Sequence, residues 1–536
     1  MKLRLPLLGL AAVLANSVGP THAFSQPTPL QLPSPQIINL ETATVLPKNS
    51  ILTAYGAHIF PKGSYGSGTG LQTFNLSIDG GVTNNLQFGL AGTLFDDTLG
   101  EKINGNLTDL GLAVFAPKLK YRILQGDNYN LAIAGSLEFG RFRSGNGLYT
   151  PDNSQKNSLI LAESIQIPLS LKLVPGLELH LVPGAVIYPG TINDGGNFYG
   201  TFFTFGSGLN YSASDRLTLF TNLNIPFGSG GNSVDSHGQI FSKPVWTAGL
   251  SYLHSPTVGI DLYTTNALGS TPATQLLTFI PDGNQISAGV NVRFTPDFGQ
   301  SYPTSFHKAS SAALSTREKH LVLNGVTLTS ANTIKRGMLA LQGGLNSNAN
   351  FQLAYGMSDN AQLEFIGQKL VGTDQPVGKS LKLGVGTKLN LLDQNLGAPF
   401  SLGLRGSLQE GTKPAPADGV GMFGAELAFL YTVNSFLTLA VNPKASFFLS
   451  EEIVGVGTGF NCRLTEHLQL LGEVTPLVTG ETPVWAAAIR YFNPELNIGV
   501  DLSANNAIGT HDIGGLLARA NNRVMVGISL SWLLGR

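Results

Sequence analysis

Charge is scarce in this chain of 536 residues: Asp, Glu, Lys and Arg make up 12% of it, about half the share of roughly 25% found in ordinary soluble domains. Acids and bases nearly balance, 33 against 32, so there is no basic patch of the kind a nucleic-acid partner needs. Cysteine is nearly missing. A single Cys462 excludes an internal disulfide and a cysteine-built zinc cluster, and its place in a strand pattern makes it a buried or wall residue. Beyond the N-terminus no run of 18 apolar residues exists, which argues against a transmembrane helix. The histidines are scattered and form no HExxH or similar metal spacing. No catalytic residue, metal ligand or cofactor motif can be assigned, and the chain is not expected to be an enzyme. The Gly-rich stretch Gly63–Gly70 lacks the Lys-Ser/Thr ending of a phosphate loop.

What is present, first, is a duplication. PVWTAGLSYLHSPTVGIDLYTTNALG at Pro244–Gly269 returns as PVWAAAIRYFNPELNIGVDLSANNAIG at Pro483–Gly509. Trp246 matches Trp485, Tyr252 matches Tyr491, Asp261 matches Asp501 and Asn266 matches Asn506. A self-match at about half the chain length means two related halves. The lead-ins to the halves, INLETATVLPKNSIL and LNGVTLTSANTIKRGML, are a weaker pair. Asn266 and Asn506, each near a following Gly, read as strand exits.

Second, there is alternation. Val524, Val526, Ile528, Leu530 and Trp532 alternate with Met525, Gly527, Ser529 and Ser531; period two places the apolar set on one face of a strand. Twelve such segments are predicted between residues 50 and 296 and twelve more between 336 and 533. Connections alternate between short turns (Thr83-Asn84, Ser212–Asp215) and long Gly/Asn-rich loops. That habit belongs to outer-membrane barrels, whose short turns are periplasmic.

The short turns share a Ser/Thr–Asn/Asp/Glu pattern before an alternating run: VTNNLQF at Val82, ASDRLTL at Ala213, LTEHLQL at Leu464. In this style of turn and strand the chain resembles Gram-negative outer-membrane β-barrels, and is similar to the family named for the MetA pathway of phenol degradation. The fold expected is all-β: antiparallel up-and-down transmembrane barrels in two homologous halves of about 12 strands. Two tandem barrels are expected, with one 24-stranded barrel as the alternative. Boundaries are 1–23 for a signal peptide (Lys2, Arg4, an apolar Leu5–Leu14, then Thr21-His22-Ala23), 24–49 for a lead-in and 50–298 for the first repeat. Residues 299–335 form the linker and second lead-in, and 336–536 the second repeat.

If the apolar faces meet lipid, the charges on the opposite faces point inward. Lumen-facing candidates are Asp261, Asp501, Arg293 and Arg490, read either as shaping the field of a pore or as mutual partners. Interface aromatics are Trp246, Tyr252, Trp485, Tyr491, Phe294 and Trp532. The closing strand looks like the C-terminal signal read by the barrel-assembly machinery, although Leu533–Arg536 depart from the usual terminal aromatic. Expected partners are therefore outer-membrane lipid and that machinery, with localisation in the cell outer membrane. The function expected is passive transport or a channel for small solutes; the alternative is a structural or surface-interaction protein with a filled lumen.

Overall fold

Alternation of this kind cannot be satisfied by an open sheet in lipid, because every edge N–H and C=O needs a partner. In the computed structural model the sheets close twice. The structure describes residues 36–60, 71–99, 101–145, 147–150, 152, 154–296, 306, 314–345, 349–370, 372–375, 377–379, 381–411, 421–448, 451–478 and 480–535. The leader and the Gly63–Gly70 stretch lie outside them.

The first ring runs β1 (Ile51–Phe60), β2 (Leu71–Gly81), β3 (Leu86–Thr98), β4 (Asp109–Gln125), β5 (Tyr129–Ser144), β6 (Lys156–Gln166 continued by Leu169–Val174), β7 (Leu177–Ile187), β8 (Thr201–Ser212), β9 (Leu217–Phe227), β10 (Val245–Ser255), β11 (Val258–Thr265) and β12 (Ser287–Phe294). The break in β6 falls at Pro168, which has no N–H for the ladder. Both pieces pair with β5 and β7, so thirteen segments fill twelve positions. β12 closes on β1.

The second ring is β13 (Leu339–Leu345), β14 (Ala349–Ser358), β15 (Ala361–Lys369), β16 (Leu381–Leu392), β17 (Ser401–Gly411), β18 (Met422–Thr432), β19 (Leu437–Phe448), β20 (Glu451–Arg463), β21 (Leu468–Thr475), β22 (Val484–Asn493), β23 (Ile498–Asn505) and β24 (Met525–Leu534). It closes through β24 and β13, Leu341 opposite Trp532. The molecule is thus two closed 12-stranded antiparallel barrels; the single 24-stranded ring is ruled out.

The pleat sorts the side chains. On β8, Phe203, Phe205, Leu209 and Tyr211 stand exposed on the outer surface while Phe202, Thr204 and Gly206 turn in. Phe115, Leu137, Phe139, Leu161, Ile489 and Leu502 are likewise exposed. An apolar band of this extent on both barrels would be a severe liability in water and is the face that lipid requires. No helix among the described residues is long and apolar enough to cross a membrane.

The recurrent turns work as local hydrogen-bond devices. Thr83 Oγ1 accepts from the N–H of Asn85 and of Leu86, Ser214 Oγ from Arg216 and Leu217, and Thr465 Oγ1 from His467 and Leu468. A small hydroxyl thereby stands in for the missing ladder partner at each reversal. The repeated Pro-Val-Trp…Asn is explained the same way. Asn266 Oδ1 accepts from Trp246 N–H at 2.9 Å and its amide donates to Pro244 O at 3.0 Å; Asn506 does the same with Trp485 (2.8 Å) and Pro483 (2.9 Å). Each Asn clamps the long-loop end of its hairpin.

The barrels touch along their outer walls near the short-turn rims. Tyr55, Val258, Val292 and Phe294 of the first pack with Tyr355, Met357, Ala361 and Leu389 of the second. His254 Nε2 lies 2.9 Å from Asn360 O.

Candidate functional site: the two filled lumens

The inner faces are polar and glycine-rich, and each lumen is filled from both ends by chain that is not wall. In the first barrel the lead-in turns back as a hairpin, Gln36–Ile37 against Leu40–Glu41. It leaves at the short-turn rim, where Asn49 N–H donates to Gly81 O. Leu40 occupies space kept open by Gly206 and Gly208, where a Cβ would collide with its methyls. Around it Asn39 donates to Thr247 and Thr265 hydroxyls (3.0 and 3.1 Å), and Asn222 and Asn224 donate to the carbonyls of Ile38 and Asn39 (2.7 and 3.0 Å). Glu41 meets Lys120 at 2.6 Å.

Ser170, His180 and Asn210 form a buried chain there, with Ser170 Oγ 2.8 Å from His180 Nδ1 and Asn210 Nδ2 3.3 Å from His180 Nε2. Ser170 Oγ accepts from Ala43 N–H at 2.9 Å. The imidazole orients a hydroxyl that holds the lead-in.

From the long-loop end the β11–β12 connection folds inward. Glu138 on β5 accepts from Thr271 Oγ1 (2.6 Å) and Ala273 N–H (2.5 Å). Above lies an aromatic layer in which Phe60 stacks on Phe279 at 3.7 Å and Phe142, Tyr149, Tyr188, Phe198 and Tyr199 pack edge to face. Between the two fillings is a cavity of about 10 Å³, lined by Glu41, Asp79, Lys118, Lys120, Gln166 and Pro272, room for about one water.

The second barrel repeats the plan with more charge. The expected linker ends in a helix, α1 (Thr316–Val322), started by a capping box: Ser315 accepts from Glu318 N–H while the Glu318 carboxylate accepts from Ser315 N–H. The S-x-x-E signature in Ser315–Glu318 was the sequence signal for it. From α1 the lead-in enters the lumen. Glu473 on β21 accepts from the N–H of Val326 and of Thr327 (both 2.7 Å) and from Thr327 Oγ1 (2.8 Å). Glu426 on β18 accepts from Thr329 N–H (3.0 Å) and Oγ1 (2.6 Å), and Asn442 donates to Thr329 O (2.8 Å). Leu328 rests on Gly457 and Gly459, the counterpart of Leu40 on its glycines.

The β23–β24 loop descends from the other end. Asp512 accepts from Arg405 Nη1 and Gln409 Nε2, both at 2.5 Å, and sits over Gly424. Lys444 Nζ donates to Thr327 O of the lead-in and to Gly515 O of the loop, each at 3.0 Å, and so joins the two fillings.

The four charges singled out in the sequence fall into two pairs. Asp261 meets Arg293 at 3.0 Å and Asn291 at 3.2 Å; Asp501 meets Arg490 through two bonds of 2.7 Å. Arg490 goes further and donates to Asn324 O of the lead-in (2.7 Å). Of the aromatics, Tyr491 and Trp532 are exposed, Trp246, Tyr252 and Trp485 half-buried, and Phe294 packs on Tyr355 of the other barrel, centroids 6.2 Å apart.

The residues that grip the fillings (Glu138, Arg405, Glu426, Lys444, Glu473 and Asp512) were not anticipated. For the five on strands the signal was available: in a chain this poor in charge, an ionic side chain in mid-strand on the small or polar face stands out, whereas Asp512, in a loop, carries no such signal. No group of His, Cys, Asp and Glu among the described residues could hold a metal ion.

No family model matches this chain, and no curated protein matches it. Among solved structures, the KdgM porin aligns with 45% of this chain and 98% of its own at 11% identity and a TM-score of 0.26. The NanC porin aligns with 46% and 98% at 10% identity and 0.27. The siderophore receptor PirA from Pseudomonas aeruginosa aligns with 92% and 81% at 10% identity and 0.24. At such scores these likenesses carry no argument about function.

Proposed function

We propose that the protein is an outer-membrane transport protein for small polar solutes, each of whose lumens is held shut by peptide of its own chain. The observation behind this reading is how the lumens are filled. Toward the long-loop ends the walls pack on the loops through apolar clusters (Phe60, Phe142 and Phe202 in the first barrel, Met422, Phe448 and Ile453 in the second); deeper in, they are polar. They present carboxylates, amides, Lys and Arg to the backbone of segments that could leave without breaking a ladder bond. A segment held by individually modest hydrogen bonds, each worth about 0.5–3 kcal/mol net, can be displaced while a closed barrel stays intact. In this reading the short-turn rims face the periplasm and the long loops the outside. The mature chain is exported by the leader and inserted by the barrel-assembly machinery.

A second reading, a structural barrel pair with permanently filled lumens, is favoured by the small size of the cavities, about 10 and 50 Å³. Planar-bilayer recording separates the two. The purified chain should be nearly silent, and a variant whose second lead-in is loosened (Glu473→Gln with Glu426→Gln) should give discrete conductance steps. Silence of the folded, inserted double variant would leave the structural reading.

A further inference from the structure

The wall of the second lumen carries a continuous belt of polar side chains across five adjacent strands. In register these are Gln362, Lys388, Arg405, Glu426 and Lys444 on β15 to β19. All five are buried. Two of the charges are committed to the fillings: Glu426 to Thr329, Lys444 to two carbonyls. The other two cations are short of acceptors. Arg405 gives Nε to Glu364 at 2.7 Å and Nη1 to Asp512. Its Nη2 and the ammonium of Lys388 have no hydrogen-bond partner among the described residues. A buried ammonium offers three donors and a guanidinium five, and leaving them unmatched is costly. Glu364 is the wall carboxylate hydrogen-bonded to Arg405; Glu426, in register beside it, is taken up by Thr329 and Asn442. The second carboxylate comes from a loop.

We infer that Lys388, Arg405 and Gln409 form a binding site for small oxyanions, carboxylate or phosphate, in the second lumen, and that the Asp512 carboxylate occupies it in the closed form. Asp512 presents to Arg405 and Gln409 the two oxygens that a free carboxylate or phosphate would present, and charge-assisted contacts of this type are the strong ones. Gly424 keeps the space that the carboxylate fills. When the loop lifts, Arg405 Nη1 and Gln409 Nε2 lose their acceptor beside the already unpartnered Arg405 Nη2 and Lys388 ammonium, and an entering anion supplies one.

The first barrel provides the contrast. After the matching glycines, Gly269 and Gly509, Asp512 falls opposite Pro272. There the wall supplies the acid, Glu138, and the loop supplies neutral donors. The site belongs to the second barrel. It deepens the transport reading by naming the solute class, and rests on that reading only for what binding accomplishes.

The test uses the full mature chain in detergent and in bilayers, with sodium acetate and sodium phosphate as probes against sodium chloride at equal ionic strength. Asp512→Asn should bind acetate or phosphate saturably, by titration calorimetry and by a rise in thermal midpoint. Wild type should bind more weakly, because its own carboxylate competes. Adding Lys388→Met to Asp512→Asn should weaken binding about tenfold or more, the loss of one bond to a charged group. In wild type, either probe should speed amide exchange at Ile513–Leu516; this readout decides if Asp512→Asn fails to fold. Absence of saturable binding to folded Asp512→Asn, unchanged affinity with Lys388→Met, or no anion-specific exchange in wild type overturns the site. Binding without conductance removes the transport reading and keeps the site; conductance without anion binding does the reverse.

Discussion

The hold of Glu473 on the second lead-in can be weighed by a single atom exchange. Its two oxygens take three hydrogen bonds from Val326 and Thr327, all between 2.7 and 2.8 Å, in a buried site. Glu473→Gln keeps the shape and the acceptor for Thr327 but turns the other oxygen into an NH₂ facing Val326 N–H. One bond to a charged acceptor is lost and a buried donor is left opposite a donor. A bond to a charged group is worth about 1.5–3 kcal/mol and an orphaned buried donor costs about 1–3 kcal/mol, and because the two describe partly the same loss, the seated lead-in should lose on the order of 2–4 kcal/mol. Every ~1.4 kcal/mol is a factor of ten, so local opening should rise about 30- to 1000-fold. Amide exchange in detergent micelles reads this directly. Val326, Thr327 and Thr329 should lose protection while the ladder amides of β20 to β22 keep theirs. Unchanged protection at Val326 and Thr327 would show that the carboxylate does not hold the segment. Equal loss throughout the second barrel would show that lead-in and wall are one cooperative unit, contrary to the reasoning.

Gly457→Val should expel Leu328, because its Cβ would meet the leucine side chain; exchange at residues 324–330 should rise with the barrel still heat-modifiable on gels. Gly206→Val should do the same to Leu40 in the first barrel, read at Ile38–Glu41. Burial and the neighbouring Arg405 push His511 down to about 4 from 6.5, against the raising effect of Asp512, Glu364 and Glu426. A released loop takes up a proton below about pH 6.5 while the seated one refuses it until about pH 4. The seated form is therefore fully favoured above pH 6.5 and loses on the order of 3 kcal/mol between pH 6.5 and 4. Exchange at Ile513–Leu516, corrected for its intrinsic pH dependence, should accelerate across that window, and His511→Gln should flatten it. Phe139→Lys, on the exposed outer face, should cost about 2–4 kcal/mol if it lies at mid-bilayer; denaturant unfolding in lipid vesicles measures it, and an unchanged midpoint would contradict a lipid-facing assignment.

Local chemistry alone determined much of this molecule. Period-two alternation specified the strands, since a shift of one residue would turn every apolar side chain from lipid into a polar lumen. Ser, Thr, Asn and Asp at short reversals such as Thr83, Ser214 and Thr465 specified where strands end, because their side chains satisfy the turn backbone within three residues. The duplication specified two like halves, and the Asn266 and Asn506 clamps followed from the same repeat. Ring closure was decided by tertiary structure: whether β12 returns to β1 or passes on to β13 depends on pairings more than 200 residues apart, which no local pattern encodes. The filling of the lumens was decided there too. Lead-ins of mixed composition look like linkers in sequence; Gly206 and Gly208, or Gly457 and Gly459, share one face of a strand by alternation, but only the closed wall turns that gap toward the leucine of a lead-in. Likewise Asp512 and Arg405, 107 residues apart, become partners only because ring closure brings the β23–β24 loop over the inner face of β17, in a buried interior where an unpaired charge is costly.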